Sequence, residues 1–268
     1  KKAHKKKISG ALFIRGDLKN IKTWAERVRR FRPDAVMHFA WEGLASHDYG
    51  SKTSARNLKN TLNLISFAAE VGCKKFLSAG SSWEYGAVNG KLRETSSLKA
   101  PPHVSSFVAA KRKILSEGIR IAQECGMQFL WPRLFFVYGP GQRPVSLIPS
   151  LVRSFREDKA PEIKNKLGGN DFVYVEDVAE AIVKILERCK KPSAIYNIGS
   201  GRITSVACVA NLVAENFNRP SLLKEPQKTK GFYADISKIK REIGWRPKTG
   251  IVLGVKKTVD FLRSPRRS

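Results

Sequence analysis

Lys75-Phe76-Leu77-Ser78-Ala79-Gly80-Ser81 is an apolar run of strand length that ends in small and hydroxylated residues, and what flanks it decides the fold. Immediately upstream, apolar residues recur every three to four positions from Thr53 to Val71, the spacing of a long amphipathic helix, and Gly72 is a plausible stop for it. Before that helix stands a second short run, Asp34-Ala35-Val36-Met37-His38-Phe39-Ala40. Strand, helix, strand in this order predicts parallel strands joined by a crossover helix. Working outward, Ala11 to Leu18 reads as a short strand ending in a turn, and a helix follows over about Ile21 to Arg30. Downstream, Pro101-Pro102 marks an extended approach to a helix from about Ser105 to Cys125. Met127 to Phe136 is another buried strand, closed by the turn Gly139-Pro140-Gly141.

Beyond that turn the alternation loosens. A helix around Leu147 to Glu157 leads to Asp171-Phe172-Val173-Tyr174-Val175. Asp177 is read as the N-cap of a helix ending near Cys189. Ile195 to Ile198 is a strand, Thr204 or Ser205 caps another helix, and two more helices follow near Ile236 and Val255. The expected class is α/β, with a doubly wound, mostly parallel sheet. Residues 1–10 read as a basic tail, 11–142 as the core, and 143–268 as a mixed region carrying a small lobe and the last core strands and helices.

Composition narrows the function classes. A chain of 268 residues with 42% hydrophobic content can bury a sizeable core. No apolar run is long enough to span a membrane, and no stretch of signal-peptide length follows the basic start, so cytoplasm is the expected location. Cys73, Cys125, Cys189 and Cys208 form no metal-like spacing, and four histidines assemble no zinc cluster. The formal charge of +27 admits a nucleic-acid partner. The positive residues run along the whole chain instead of forming an aromatic-interleaved patch, so a basic surface is the plainer reading.

Two features carry the chemistry. Ser105-Ser106-Phe107-Val108-Ala109-Ala110-Lys111 places an aromatic ring and an ammonium four residues apart, on one helical face. Upstream, no glycine-rich fingerprint that would hold a dinucleotide's pyrophosphate is found. Several blocks then occur in a fixed order. They are Gly16-Asp17-Leu18, His38-Phe39-Ala40-Trp41, Ser81-Ser82-Trp83-Glu84-Tyr85-Gly86, Arg133 to Gly141, Asp171 to Asp177, Tyr196 to Gly201, Asp235 to Lys238, and Gly244-Trp245-Arg246-Pro247. In this order they resemble the extended short-chain dehydrogenase/reductase family, also called the NAD-dependent epimerase/dehydratase family, which acts on nucleotide sugars. Trp41-Glu42-Gly43, Trp83 to Gly86 and Arg133 to Gln142 look most like its 4-keto-6-deoxysugar reductases, of the 6-deoxytalose and CDP-abequose type.

The resemblance implies a Rossmann-like fold and an NAD or NADP cofactor. Its cofactor-binding positions map onto Asp17, Leu18, Phe39, Ala40, Trp41 and Lys111. The catalytic positions map onto Ser81, Phe107 and Lys111, and substrate contacts onto Ser82, Trp83 and Phe136. Asn170 stands where an arginine is usual, and Arg143, Arg246 and Lys248 are candidates to hold the nucleotide diphosphate instead. Hydride transfer to a sugar carbonyl needs a proton delivered to its oxygen. A tyrosine with a lowered pKa normally supplies it, and Phe107 supplies only an apolar wall. Tyr85 and Tyr138 are candidate donors by residue type alone.

Relatives open with a βαβ unit of about thirty residues, where this sequence shows only Lys1 to Gly10. Without that unit the Val36 strand is expected to have an open edge, so that either the Leu12 strand closes up against it, another chain covers it, or the sequence is a fragment. The leading expectation is a reduction of a nucleoside-diphosphate 4-keto-6-deoxysugar, impaired by Phe107 and the missing loop. A non-catalytic binding or scaffold protein of the same fold is the alternative, and a nucleic-acid-binding role stands third. A homodimer through the helices near 53–71 and 105–125 is the family's habit.

Overall fold

Apolar residues that alternate along parallel strands build the core in two layers, one on each face of a single sheet. The computed structural model describes residues 9–44, 46–86, 89–97, 102–163 and 165–264. The first half contains α1 (Lys22–Phe31), β1 (Ala35–His38), α2 (Ser51–Glu70), β2 (Lys75–Ser78), β3 (Gly80–Ser81) and β4 (Gly90–Leu92). The middle carries α3 (Ser105–Glu124), β5 (Gln128–Leu134), β6 (Phe136–Tyr138), α4 (Leu147–Arg156), β7 (Gly169–Asn170), β8 (Phe172–Tyr174) and α5 (Val175–Arg188). The remainder is β9 (Ser193–Ile198), β10 (Thr204–Ser205), α6 (Val206–Glu215), β11 (Phe232–Ala234), α7 (Ser237–Ile243) and α8 (Ile251–Arg263).

The main sheet runs β1, β2, β5, β9, all parallel. After a break at Ala79, β3 continues the line of β2 and pairs with the last residues of β5. Side chains alternate across the sheet. Phe76, Phe129 and Trp131 face α2 and α3, where they meet Ile65, Ala68 and Ile114. Leu77 and Leu130 face the other way, onto Ile182, Ile185, Tyr196 and Trp245. This is the α/β, Rossmann-like class with a parallel sheet. A separate core of Tyr138, Leu151, Phe172, Val209 and Val255 joins α4, α6 and α8 to the β6–β8 pair.

Two local expectations change. Ala11 to Leu18 is not a strand: its backbone joins no strand ladder among the described residues, and Leu12 and Phe13 are exposed at 58% and 62%. Extended residues become a strand only where a neighbouring edge takes their hydrogen bonds. This segment is instead fastened to α1, with Trp24 Nε1 donating to the Asp17 carbonyl at 3.1 Å. The outer edge of β1 therefore has no partner strand among the described residues. Asp177 is not the N-cap of α5 either. Tyr174 is, and Asp177 sits in the first turn, favourable to the helix dipole, where its carboxylate accepts from Thr249 N at 2.9 Å. The other cap stands: Ser205 Oγ accepts from Cys208 N at 2.9 Å. Among the described residues no helix is long and apolar enough to cross a membrane.

Candidate active site

The site begins at the carboxyl ends of β1, β2 and β3. Gly80 is needed there because a Cβ would collide with the Trp131 indole. Ser81 then caps a short 3-10 helix, Ser82–Tyr85, through a reciprocal pair of bonds. Its Oγ accepts from Trp83 N at 3.2 Å, and the Glu84 carboxylate accepts from Ser81 N at 2.8 Å. The cap fixes the hydroxyl that was mapped as catalytic.

Glu84 is fully buried and does more than cap. It pairs with Arg133 at 2.9 Å, with both side chains shielded from solvent, and accepts from Trp131 Nε1 at 3.1 Å. Arg133 goes on to donate to the Tyr85 hydroxyl at 3.0 Å and the Glu94 carbonyl at 3.1 Å. Tyr85 in turn donates to Asn197 Oδ1 at 2.7 Å. An ionised pair in the interior needs its remaining hydrogen-bonding groups satisfied, and this network satisfies them.

Lys111 projects from α3 into the same region. Its Nζ donates to the Ala79 carbonyl at 2.7 Å and lies 4.0 Å from the Trp41 ring centroid. Burial lowers its pKa to about 7, against the opposing field of Glu84. His38, at the end of β1, is buried with Nε2 3.0 Å from Thr61 Oγ1, and burial together with the Lys111 charge lowers its pKa to about 4.

These two depressions make stability depend on pH with one sign. Between each folded pKa and the higher unfolded one, the unfolded chain binds more protons, so stability rises with pH. His38 gives a rise from about pH 4 to 6.5, and Lys111 one from about pH 7 to 10.5. Urea unfolding at pH 7 and pH 9 should show the chain more stable at pH 9. Lys111→Met should flatten that difference, and an unchanged slope would place the titration elsewhere.

Phe107, four residues before Lys111, is enclosed by rings. Its centroid lies 5.1 Å from Trp41, 5.5 Å from Tyr49 and 6.0 Å from Trp83, all edge-to-face. A cleft of about 410 Å³ opens beside this box, lined by His47, Asp48, Tyr49, His103, Ser105 and Ser106. Arg143 reaches toward it, donating to the Leu44 carbonyl and lying 3.5 Å from His47 Nε2.

Ser81, Trp83, Phe107, Lys111 and Trp41 are thus brought together, with Ser82 buried in the same 3-10 turn. Phe39 and Ala40 follow β1 and are exposed to solvent, and Asp17 caps the 3-10 turn holding Leu18. Phe136 is half-exposed against Phe172, at 4.7 Å between centroids. Arg246 is not brought to this group: it lines another pocket, with Arg202 and Lys240. The two tyrosines that were candidate donors, Tyr85 and Tyr138, are both buried. The Tyr85 hydroxyl is tied into the Arg133–Asn197 network, and burial raises its pKa. The Tyr138 hydroxyl is buried without a hydrogen-bond partner among the described residues, raised first by burial and then by Asp177. Glu84 and His38 were not singled out from sequence. For Glu84 a signal existed, the S-x-x-E spacing from Ser81; for His38 none marks a buried neutral ring.

Known proteins resemble this chain in sequence and in fold. The model of the NAD dependent epimerase/dehydratase family matches residues 1–199. A UDP-glucuronate 4-epimerase from Thermodesulfobacterium geofontis is 26% identical over 266 residues, covering 96% of this chain and 80% of the relative. A human dTDP-D-glucose 4,6-dehydratase is 28% identical over 275 residues, covering 94% and 75%. Among solved structures, MoeE5 in complex with UDP-glucuronic acid and NAD superposes with a TM-score of 0.80 at 24% identity, covering 93% of this chain and 85% of that one. A tyrosine-to-phenylalanine mutant of a Bacillus cereus UDP-glucuronic acid 4-epimerase, in complex with a fluorinated UDP-sugar and NAD, gives 0.78 at 23%, covering 94% and 81%.

Proposed function

Because the chain belongs to the NAD dependent epimerase/dehydratase family, we propose that it holds a nucleotide sugar with NAD or NADP at the Ser81–Lys111 site and slowly reduces a nucleoside-diphosphate 4-keto-6-deoxysugar. The observation that carries the reading is the grouping of a capped Ser81 hydroxyl, a buried Lys111 ammonium and the Phe107 ring at one end of the sheet.

The residues present fit the nicotinamide end of such a cofactor. Among the described residues the Lys111 ammonium donates one hydrogen bond, to Ala79, which leaves N–H groups for ribose hydroxyls. Phe39, Ala40 and Trp41 supply an edge at the end of β1. No G-x-G-x-x-G or G-x-x-G-x-x-G run stands in the sequence to cradle the diphosphate. The reduced nicotinamide, when bound, supplies the hydride. Ser81 then holds the carbonyl oxygen and Lys111 supplies a positive field. Phe107 has no proton to give, so water must supply the proton to that oxygen, and this step limits the rate. The relatives named above are an epimerase and a dehydratase, and the reductase choice rests on the Trp41-Glu42-Gly43, Trp83–Gly86 and Arg133–Gln142 segments.

Calorimetric titration with NADPH and NADH tests the binding half. One saturable site per chain is expected, weakened at least about tenfold by Lys111→Met, the loss of a charge-assisted bond. A folded sample that binds neither cofactor, with or without a nucleotide sugar, overturns the reading. The closed aromatic box around Phe107 favours a second reading, a binding protein without turnover. Under it, cofactor and sugar bind, and no variant at 107 acquires activity.

A further inference from the structure

A second concavity lies apart from the Ser81–Lys111 site and shares none of its lining. It is about 600 Å³, within the range of small-molecule sites. Five cations surround it: Lys91, Arg202, Lys240, Arg246 and Lys248. Two of these are spoken for, Lys91 by Asp235 at 3.5 Å and Lys248 by Glu180 at 2.8 Å. Arg202, Lys240 and Arg246 have no carboxylate partner among the described residues, whereas other surface cations pair with acids, as in Arg29–Glu70 and Arg56–Glu42.

The walls are held in place by buried acids below the cations. The Asp171 carboxylate, 1% exposed, accepts from Ser200 N and Oγ, from Gly201 N at 3.1 Å and from Ala234 N at 2.9 Å. It thereby ties the loop after β9 to β11, and a Cβ on Gly199 would collide with it. Asp235 accepts from Ser237 N at 2.9 Å and Arg93 Nε at 3.2 Å, which fixes the opposite rim. Ala234, Ile236 and Pro247 supply an apolar floor.

We propose that this pocket binds a linear oligophosphate, either free or as the phosphate chain of a nucleotide. Three unpaired cations around a preformed concavity match successive phosphates, and guanidinium groups take phosphate oxygens in pairs. A concavity of this volume suits a compact anion better than an extended polyanion laid across a surface. The inference does not depend on the reaction proposed above, and it reassigns Arg246 from that substrate to this ligand.

Titration of the whole chain with inorganic tripolyphosphate at about 0.15 M salt, where long-range attraction is screened, is the test. This probe is chosen because a nucleotide could also enter the Ser81–Lys111 site. One saturable site is expected, weakened at least about tenfold in Arg202→Gln/Arg246→Gln. The control Lys22→Gln/Arg27→Gln removes the same charge from the exposed face of α1 and should bind as the parent does. Equal losses in the two double variants, or binding without saturation, would mean that the net charge alone attracts the anion, and the proposal fails. ATP and tripolyphosphate binding equally tightly to Lys111→Met identify the phosphate chain as the ligand; tighter ATP binding that Arg202→Gln/Arg246→Gln abolishes identifies a nucleotide.

Discussion

Phe107→Tyr raises ketoreductase turnover by about two to four orders of magnitude, the contribution a positioned general acid makes. The Phe107 ring stands 5.8 Å from Lys111 Nζ, so a hydroxyl carried on that ring lies in the field of the ammonium. Such a field lowers the phenol's pKa toward the working range. The ring is only 4% exposed, so a hydroxyl left without a partner there costs about 1–3 kcal/mol. Thermal unfolding of the variant reports that cost separately from its rate. Steady-state reduction of nucleoside-diphosphate 4-keto-6-deoxysugars with NADPH and NADH is the assay. The expected change is in kcat with KM little altered, since the substituted group acts in the transition state. Phe107→Leu, which removes the ring and adds no acid, should gain nothing. A Phe107→Tyr protein that binds cofactor and sugar and leaves the ketone intact would remove the enzymatic reading and leave the binding one.

Glu84→Ala has the largest expected effect on stability, a loss of about 3–5 kcal/mol, because it leaves the Arg133 guanidinium charged and buried without its counter-charge. Arg133 keeps only the Tyr85 hydroxyl and the Glu94 carbonyl, while Trp131 Nε1 and Ser81 N lose their acceptor. The same change removes the field that props up the Lys111 pKa, so that pKa falls below its present value of about 7. Urea denaturation measures the first effect, and the pH dependence of unfolding measures the second. Glu84→Gln keeps the shape and an acceptor oxygen, and should lose less. If Glu84→Ala unfolds within about 1 kcal/mol of the parent, the pair is not the keystone its burial suggests, and surface-type energetics apply.

Where the hydrophobic pattern is periodic, the sequence was sufficient. The helix read over Thr53 to Val71 is Ser51–Glu70, and the strand read over Lys75 to Ser81 is present, broken once at Ala79. Gly72, read as a stop, adopts a positive φ of 79°. These features are local: a helix face or strand face must repeat at its own period to reach the core. The same locality marks Phe107 and Lys111 as neighbours on one helix, four residues apart. It also misled at Ala11 to Leu18, where the run finds no edge to pair with among the described residues and leaves Leu12 and Phe13 exposed.

What the sequence by itself determined is the strand–helix alternation of the core, the family, and the placing of Phe107 and Lys111 on one helix, since each is written in spacing and in motif order. What only the tertiary structure decided is which charges meet, whether in the interior or, as at the exposed Arg202, Lys240 and Arg246, on the surface. Glu84, Lys111 and Arg133 lie on three different elements, and Arg246 meets Arg202 and Lys240 across two loops and a helix. Burial and Coulomb energy depend on distance in space and on the water excluded, quantities that no spacing along the chain encodes.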